Sequence, residues 1–231
     1  MLLRTRFARR QPLRYISHLE IMTLFRRAFR RAELPVTYSQ GYNPLINLSM
    51  GQPLSVGMTG GSEYYDLELK KEIKADDYVE RVNNSLPSGI EILAAREVPS
   101  GVKSLQAVVN TAIYSFDMEF SSSSVKENKL LEEFLNLSEI KIIRHRRNKK
   151  DRELDLKPMI YDGEIKDTGR WQFTVSTGSS GNVRWGEIIR ALEERFENIK
   201  KIPVINVHRQ GMYVKINKRL FAPFDDEVVG R

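Results

Sequence analysis

Residues 12–57 read PLRYISHLEIMTLFRRAFRRAELPVTYSQGYNPLINLSMGQPLSVG and combine a helical pattern with a turn-rich loop. Ser17 and Glu20 form an S-x-x-E capping box, in which the two side chains satisfy backbone N–H groups at the start of a helix. Apolar residues then recur at helical spacing and predict a stripe that faces a core: Ile21, Met22, Phe25, Ala28, Phe29 and Ala32. We expect the helix to span about 17–33, because the residue before Pro35 is pushed out of the helical region.

Four arginines flank this stripe: Arg26, Arg27, Arg30 and Arg31. They form i,i+4 pairs of like charge, and each such pair weakens an isolated helix by a few tenths of a kcal/mol. A surface that keeps four arginines in this arrangement indicates an anionic partner. The alternative is an ordinary solvated helix face, since charge runs are common on exposed helices.

Three motifs in this region are long and specific. They read PLRYISHLE at 12–20, RAFRRAELP at 27–35 and YSQGYNP at 38–44. Together they closely resemble the radical-SAM-linked domain of unknown function, over about the first third of the chain. The resemblance departs after Pro44, where family members often carry His-Pro and this chain has Leu45-Ile46-Asn47. A role for a second histidine at that point therefore does not transfer.

The resemblance implies a partner and no reaction. Members of that family are usually encoded beside, or fused to, a cobalamin-binding radical SAM protein, often near a ribonuclease E/G gene. The motif residues that this resemblance marks as a partner loop are Ser17, His18, Tyr38, Ser39, Gln40, Gly41, Tyr42, Asn43 and Pro44.

Composition narrows the class of protein. The chain has 231 residues, enough for one large domain or two small ones, and 41% of them are hydrophobic. No apolar run approaches the ~20 residues of a membrane span, and the N-terminus lacks the apolar segment of a secretory signal. The absence of cysteine excludes disulfides, thiolate metal sites and a cysteine-ligated iron–sulfur cluster in this chain. We expect a cytoplasmic protein that contacts no membrane.

Positive charge is concentrated in two segments. The net charge is +7, yet residues 1–35 carry +7, residues 140–152 carry +6 and the remainder carries −6. Clustered basic charge is typical of polyanion binding, because each phosphate contact releases counterions. The predicted RNA-binding residues are Arg4, Arg6, Arg9, Arg10, Arg14, Arg26, Arg27, Arg30, Arg31, Lys141, Arg144, His145, Arg146, Arg147, Lys149 and Lys150. Tyr15, Tyr38 and Tyr42 could stack unpaired bases or could form the edge of a core.

The order of predicted elements suggests an α+β fold with two ferredoxin-like (βαββαβ) units in tandem. The first unit combines strands near 2–8, 45–50, 64–69 and 90–98 with helices at 17–33 and 75–86. The second combines strands at 107–120, 140–147, 171–176 and 204–216 with helices at 125–137 and 184–196. The predicted domains are 1–100 and 105–216, followed by a tail at 217–231.

The three histidines do not form a predicted metal site, since they are isolated and no cysteine accompanies them. His18 could be a general acid or base, because a helix N-terminus and nearby cations favour its neutral form. Alternatively, it packs and donates a hydrogen bond to the 40–43 loop. His145 is most simply a phosphate contact, and His208 is predicted to be structural. The glycine-containing loop 177–182 lacks the spacing of a nucleotide-binding motif, so no cofactor is expected.

Three functional hypotheses follow. The first is a non-catalytic RNA-binding accessory protein that works with a radical SAM enzyme and presents tRNA or rRNA for modification. The second is a metal-independent endoribonuclease, since tandem ferredoxin-like domains with a basic groove resemble the CRISPR repeat-processing nucleases, with His18 as candidate acid/base. The third is an adaptor in which Tyr38–Pro44 docks onto the radical SAM enzyme without RNA contact. The first hypothesis expects the two basic segments to form one surface.

Overall fold

A computed structural model describes residues 1–120, 126–146, 149–167, 169–179, 181–197, 199 and 207–230, without the side chains of residues 146 and 149. The helices and strands are, in chain order, β1 (Leu2–Arg9), α1 (His18–Arg31), β2 (Leu48–Met50), β3 (Thr59–Glu68), α2 (Ala75–Asn83), β4 (Ile90–Val98), α3 (Leu105–Val108), β5 (Thr111–Asp117), α4 (Glu127–Leu135), β6 (Lys141–Arg146), β7 (Lys149–Asp155), β8 (Ile160–Asp167), β9 (Arg170–Ser176), α5 (Trp185–Arg195), β10 (His208–Ile216), β11 (Arg219–Phe221) and α6 (Asp226–Val229).

The chain divides into two compact units. Unit 1 contains Met1–Asn110 and His208–Arg231, and unit 2 contains Thr111–Val207. The division differs from the predicted domains because the last long strand, β10, pairs with β3 and so belongs to unit 1. The residues predicted as a tail also pack in unit 1, as β11 and α6.

Unit 1 contains a mostly antiparallel sheet with α1 packed on it. The strand order is β4-β1-β3, with β2 antiparallel to β3 at its far edge and β10 parallel to β3. The apolar stripe of α1 packs on this sheet through aromatic rings. Phe25 lies with its ring centroid 5.0 Å from that of Phe7 and 4.8 Å from that of Tyr65. This core holds one face of α1 against the sheet and leaves its opposite face exposed.

Both ends of α1 are fixed by hydrogen bonds. The predicted capping box is present: the Ser17 N–H donates to the Glu20 carboxylate at 2.7 Å, and the Glu20 N–H donates to Ser17 Oγ at 3.4 Å. At the other end the Leu34 N–H donates to the Phe29 carbonyl and the Glu33 N–H to the Arg30 carbonyl, the pattern of a Schellman motif. Glu33 takes the left-handed conformation of that motif, with φ of 52°, so α1 ends before the predicted residue 33.

Unit 2 contains the antiparallel sheet β5-β9-β8 and a separate hairpin, β6–β7. Phe173 on β9 lies between Phe116 on β5, at 5.7 Å, and Phe134 on α4, at 6.0 Å between ring centroids. The strand predicted at 107–120 is shorter, because residues 105–108 form α3 instead. Residues 125 and 204–206, which were predicted to begin a helix and a strand, lie outside the described residues.

The structure confirms the mixed α+β class, with sheets that are mostly antiparallel. The tandem ferredoxin-like arrangement stays a prediction. Within the described ranges, no helix combines the length and apolar character needed to cross a membrane.

Candidate nucleic-acid interface

The exposed face of α1 carries its four arginines. Arg27, Arg30 and Arg31 are exposed on the side of α1 that faces away from the buried Phe25, and Arg26 is half-buried at the flank of that side. With 3.6 residues per turn, residues four apart lie above one another. The arginines therefore form two parallel rows, one of Arg26 and Arg30 and one of Arg27 and Arg31.

These four positive charges have no ion-pair partner among the described residues, since no carboxylate oxygen lies within 4.0 Å of their guanidinium nitrogens. Arg31 donates to the backbone carbonyl of Ser85 at 2.5 Å, which holds its side chain against the end of α2. The buried Nε of Arg26 has no hydrogen-bond partner in the described structure. The two rows therefore carry positive charges that no carboxylate pairs with in the part of the chain that the structure describes.

Arg4 corrects the sequence prediction, because it is fully buried. Its guanidinium donates to both carboxylate oxygens of Asp66, at 2.8 and 2.9 Å. It also donates to the backbone carbonyls of Pro223, at 3.0 Å, and Lys103, at 2.9 Å. A side chain that is 0% exposed and bonded in this way stabilises the fold and cannot contact RNA.

Arg9 corrects the prediction for the same reason, since only 2% of it is exposed. Its guanidinium donates to the backbone carbonyls of Ile16, Ser55 and Met58 at 2.8–3.1 Å. Burial lowers the pKa of the Arg9 guanidinium, an effect that Glu63 opposes and a neighbouring arginine reinforces. Arg9 therefore ties the start of α1 to the loop before β3.

The three remaining arginines of the first cluster have different surroundings. Arg6 is half-buried, with its guanidinium 5.7 Å from the centroid of the Phe224 ring. Arg10 forms an exposed ion pair with Glu91 at 2.8 Å. Arg14 lies 4.7 Å from the ring centroid of Tyr15 and donates to its hydroxyl at 2.7 Å. Tyr15 is 62% exposed, so this stacked pair is displayed just before α1.

The second basic cluster lies on the β6–β7 hairpin, and carboxylates neutralise much of its charge. Arg144 donates to both oxygens of Glu187 at 2.6 Å. His145 is hydrogen-bonded to Asp151 at 2.8 Å.

Lys141 pairs with Glu139 at 2.7 Å, and this hydrogen bond raises the pKa of the lysine. Lys150 is exposed, whereas the side chains of Arg146, Arg147 and Lys149 lie outside the described residues. Since the two clusters belong to different units, the prediction that they form one surface stays a prediction.

The predicted partner loop is closed at its base and exposed at its tip. The Ser39 N–H donates to the Leu45 carbonyl at 2.8 Å, and the Leu45 N–H donates to Ser39 Oγ at 3.0 Å. Gly41 has φ of +131°, which favours glycine at the turn. Tyr42 is 99% exposed. Residues 39–45 therefore present a large aromatic side chain on a loop with a fixed base.

His18 is the first residue of α1 and is half-buried in a small cleft that Arg9 and Glu63 also line. Burial, and then the charge of Arg9, lowers the pKa of His18, so its imidazole is neutral at physiological pH. Glu63 is committed to a buried ion pair with Arg209, at 2.8 Å from Nε. The cleft thus holds a neutral base beside a carboxylate that is already paired. Across the ranges that the structure describes, no three His, Asp or Glu side chains cluster as metal ligands would.

Sequence reasoning missed an apolar groove beside the Arg27–Arg31 row. Leu19, Thr23 and Leu24 of α1 line it together with Pro87, and so do the charged side chains of Glu20, Arg27 and Arg31. The groove is open to solvent. Leu19 is 74% exposed. The sequence contained one indication of this groove: Leu19 is an apolar residue of the helix that does not belong to the predicted buried stripe.

A family model described as "Uncharacterized protein conserved in bacteria (DUF2344)" matches residues 3–185. The chain belongs to this family. The match covers both basic clusters and the partner loop, and it extends beyond the three motifs into unit 2 of this DUF2344 protein. No curated protein matches the sequence.

Several solved structures share a distant likeness with the DUF2344 chain. They include a chain of "Crystal Structure of a Cbf5-Nop10-Gar1 Complex", with a TM-score of 0.45 and 14% identity over 90% of this chain and 47% of that one. Another is from "Structure of H/ACA RNP bound to a substrate RNA containing 2'-deoxyuridine", with a TM-score of 0.42, 12% identity and coverage of 90% and 46%. The DUF2344 chain spans about half the length of these chains, and the similarity is too low to transfer a function.

Proposed function

We propose that this DUF2344 protein binds RNA through the exposed arginines of α1 and acts as an accessory protein of a radical SAM enzyme in RNA modification. The observation that carries the RNA proposal is the lack of carboxylate partners around Arg26, Arg27, Arg30 and Arg31. Four uncompensated cations on one helix attract phosphates strongly, because each contact releases counterions. The radical SAM partner is proposed from the family resemblance of the motifs alone.

We also propose that the two units are both ferredoxin-like. The element order β1-α1-β2-β3-α2-β4 and the strand order β4-β1-β3-β2 support this for unit 1. In unit 2, the antiparallel order β5-β9-β8 with α4 and α5 supports it, with β6–β7 as an added hairpin. The arrangement leaves the outer face of α1 free to carry a binding surface in unit 1.

Charge reversal of all four arginines (R26E/R27E/R30E/R31E) is expected to remove most of the RNA affinity. Labelled oligouridine and bulk tRNA serve as probes, and fluorescence anisotropy measures the dissociation constant over a range of salt concentrations. If each arginine neutralises one phosphate of a single strand, the slope of log affinity against log salt falls by about 3 in the variant. In the wild type, these four contacts make a fourfold rise in salt lower the affinity about 50-fold.

A second charge reversal controls for total charge. The variant K71E/K74E/K103E/R219E makes the same change in net charge at four exposed positions of unit 1 that are not part of α1. It is expected to keep most of the affinity, and circular dichroism checks that both variants fold. Equal losses of RNA affinity in the two variants would show that net charge, and not the position of the arginines on α1, determines RNA binding. Incubation of the same labelled RNA with the wild type and with His18→Ala tests the endoribonuclease alternative. Cleavage by the wild type that disappears in His18→Ala would support that alternative.

The second candidate function is that of a protein adaptor, favoured by the exposure of Tyr42 on a loop whose base is fixed. Exposed aromatic side chains are common anchors of interfaces, and truncating one costs about 2 kcal/mol, or about 30-fold in affinity. Tyr42→Ser is therefore expected to abolish co-purification with the co-expressed radical SAM enzyme. The matched control, Tyr161→Ser, removes an exposed tyrosine from β8 and is expected to leave it unchanged. Co-purification lost on nuclease treatment would point to RNA as the bridge.

A further inference from the structure

The groove beside α1 is lined by both apolar and basic side chains. Leu19, Leu24 and Pro87 provide apolar surface, and Arg27 and Arg31 line the same groove. From Leu19 to Arg31 the helix rises by about 18 Å, a little over three turns. Lining residues that extend this far along the helix suit an extended segment of a polymer.

The charges around this groove are predominantly positive. Glu20 is the acidic residue of the groove lining, and its carboxylate accepts the Ser17 N–H at 2.7 Å in the capping box. These hydrogen bonds to Ser17 lower the pKa of Glu20, since they stabilise its charged form. Arg31 is held by the Ser85 carbonyl, and neither Arg27 nor Arg31 has a carboxylate partner in the described structure. The groove is therefore complementary to an anionic polymer that also offers apolar faces.

We propose that the groove binds single-stranded RNA, with bases against Leu19, Leu24 and Pro87 and phosphates at Arg27 and Arg31. The inference rests on the proposed RNA-binding function and deepens it by naming the class of RNA. Unpaired bases expose flat faces that can pack on apolar or aromatic side chains. A duplex keeps its bases stacked inside, and its deep, narrow major groove does not admit side chains. Duplex RNA would therefore leave the exposed Leu19 against hydrated phosphates.

The surroundings of the groove favour RNA over an acidic amphipathic helix, the other occupant that matches a basic apolar groove. The second arginine row, in which Arg30 is exposed and Arg26 is half-buried, lies on α1 outside the groove lining. The stacked pair of Arg14 and Tyr15 immediately precedes α1. Positive charge thus continues beyond the groove, as a polymer of phosphates requires and a single peptide helix does not.

Two double variants of the full chain test the inference. R27E/R31E and R26E/R30E make the same substitutions at the same i,i+4 spacing on the same helix, but only the first lies in the groove lining. Both pairs contribute phosphate contacts, but R27E/R31E also places carboxylates beside the proposed base contacts at Leu19, Leu24 and Pro87. We therefore expect R27E/R31E to lose at least tenfold more oligouridine affinity than R26E/R30E. Leu19→Ser, at an exposed position, is expected to lower oligouridine affinity about fivefold, the lower end for one lost base contact. It should leave the affinity for a blunt RNA duplex unchanged.

The remaining outcomes separate this inference from the proposed function. Equal losses in the two double variants would overturn the groove as the site, while RNA binding by α1 would stand. An unchanged oligouridine affinity in Leu19→Ser would overturn base contact in the same way. A designed amphipathic peptide of Glu and Leu tests the protein alternative. If the peptide binds the wild type but not R27E/R31E, while oligouridine binds both, the groove is the site of a protein partner. Failure of the wild type to bind any RNA would overturn both proposals.

Discussion

Replacing Asp66 with alanine is expected to destabilise the protein by about 3–5 kcal/mol, because it leaves the charge of Arg4 buried without its partner. Arg4 is 0% exposed and donates two hydrogen bonds to the Asp66 carboxylate. The carbonyls of Pro223 and Lys103 would remain as acceptors, but neither carries a compensating charge. Urea denaturation of the full chain measures the change in the free energy of unfolding.

An exposed ion pair provides the control for this prediction. Glu91→Ala breaks the pair with Arg10 on the same sheet, where both side chains are solvated, and is expected to change stability by less than about 1 kcal/mol. The double variant Arg4→Met/Asp66→Leu, which removes both charges, is expected to recover much of the loss, since apolar replacement of a buried pair is often neutral. A wild-type unfolding midpoint for Asp66→Ala would show that Arg4 reaches solvent, and its predicted role in RNA binding would return.

The case of Arg4 shows what strand alternation can and cannot predict. Alternation along β1 predicts that Arg4 points away from Leu3, toward the other face of the sheet. It does not predict that this face is covered, because the covering groups come from distant parts of the chain, at Lys103 and Pro223. Composition therefore identified a basic segment, but burial decides which of its arginines can meet a phosphate.

Local signals were the reliable ones. The capping box of Ser17 and Glu20 predicted the start of α1 because both partners lie within one helical turn. The end of α1 was less well predicted, since Glu33 adopts a left-handed conformation usually taken by glycine.

Long-range pairing was not predictable in the same way. In the second cluster, Arg144 is neutralised by Glu187, which lies 43 residues later in the chain. No pattern within residues 140–152 indicates that partner. The proposed RNA surface is therefore smaller than the predicted one. It is limited to elements whose arginines have no carboxylate partner among the described residues, chiefly α1.

The interior of unit 1 contains a second buried pair, between Glu63 on β3 and Arg209 on β10. The pair is bidentate, with Arg209 Nε 2.8 Å from Glu63 Oε1 and Nη2 in contact with Oε2, and both side chains are almost fully buried. Arg9 is close enough for the charges of Glu63 and Arg209 to affect the pKa of its guanidinium. One carboxylate thus compensates two buried guanidinium groups.

Breaking a buried ion pair by removing one partner costs about 3–5 kcal/mol, and Glu63→Ala is expected to destabilise the protein by at least this amount. The loss should reach or exceed that of Asp66→Ala, because two buried cations then repel each other with no anion between them. Urea denaturation at matched pH and salt measures it. Glu68→Ala is the control, since Glu68 lies on the same strand but is exposed.

RNA binding distinguishes this structural role from a role in the proposed function. Glu63 lines the cleft beside His18, whereas the arginines that we propose to bind RNA lie on the other side of α1. In the milder variant Glu63→Gln, at temperatures where it remains folded, we expect oligouridine affinity within about twofold of the wild type. Loss of affinity in a folded Glu63→Gln, together with a stability close to that of the wild type, would contradict the prediction. It would move the RNA site from the exposed arginines to the cleft, because the buried carboxylate would then be acting on the ligand and not on the fold.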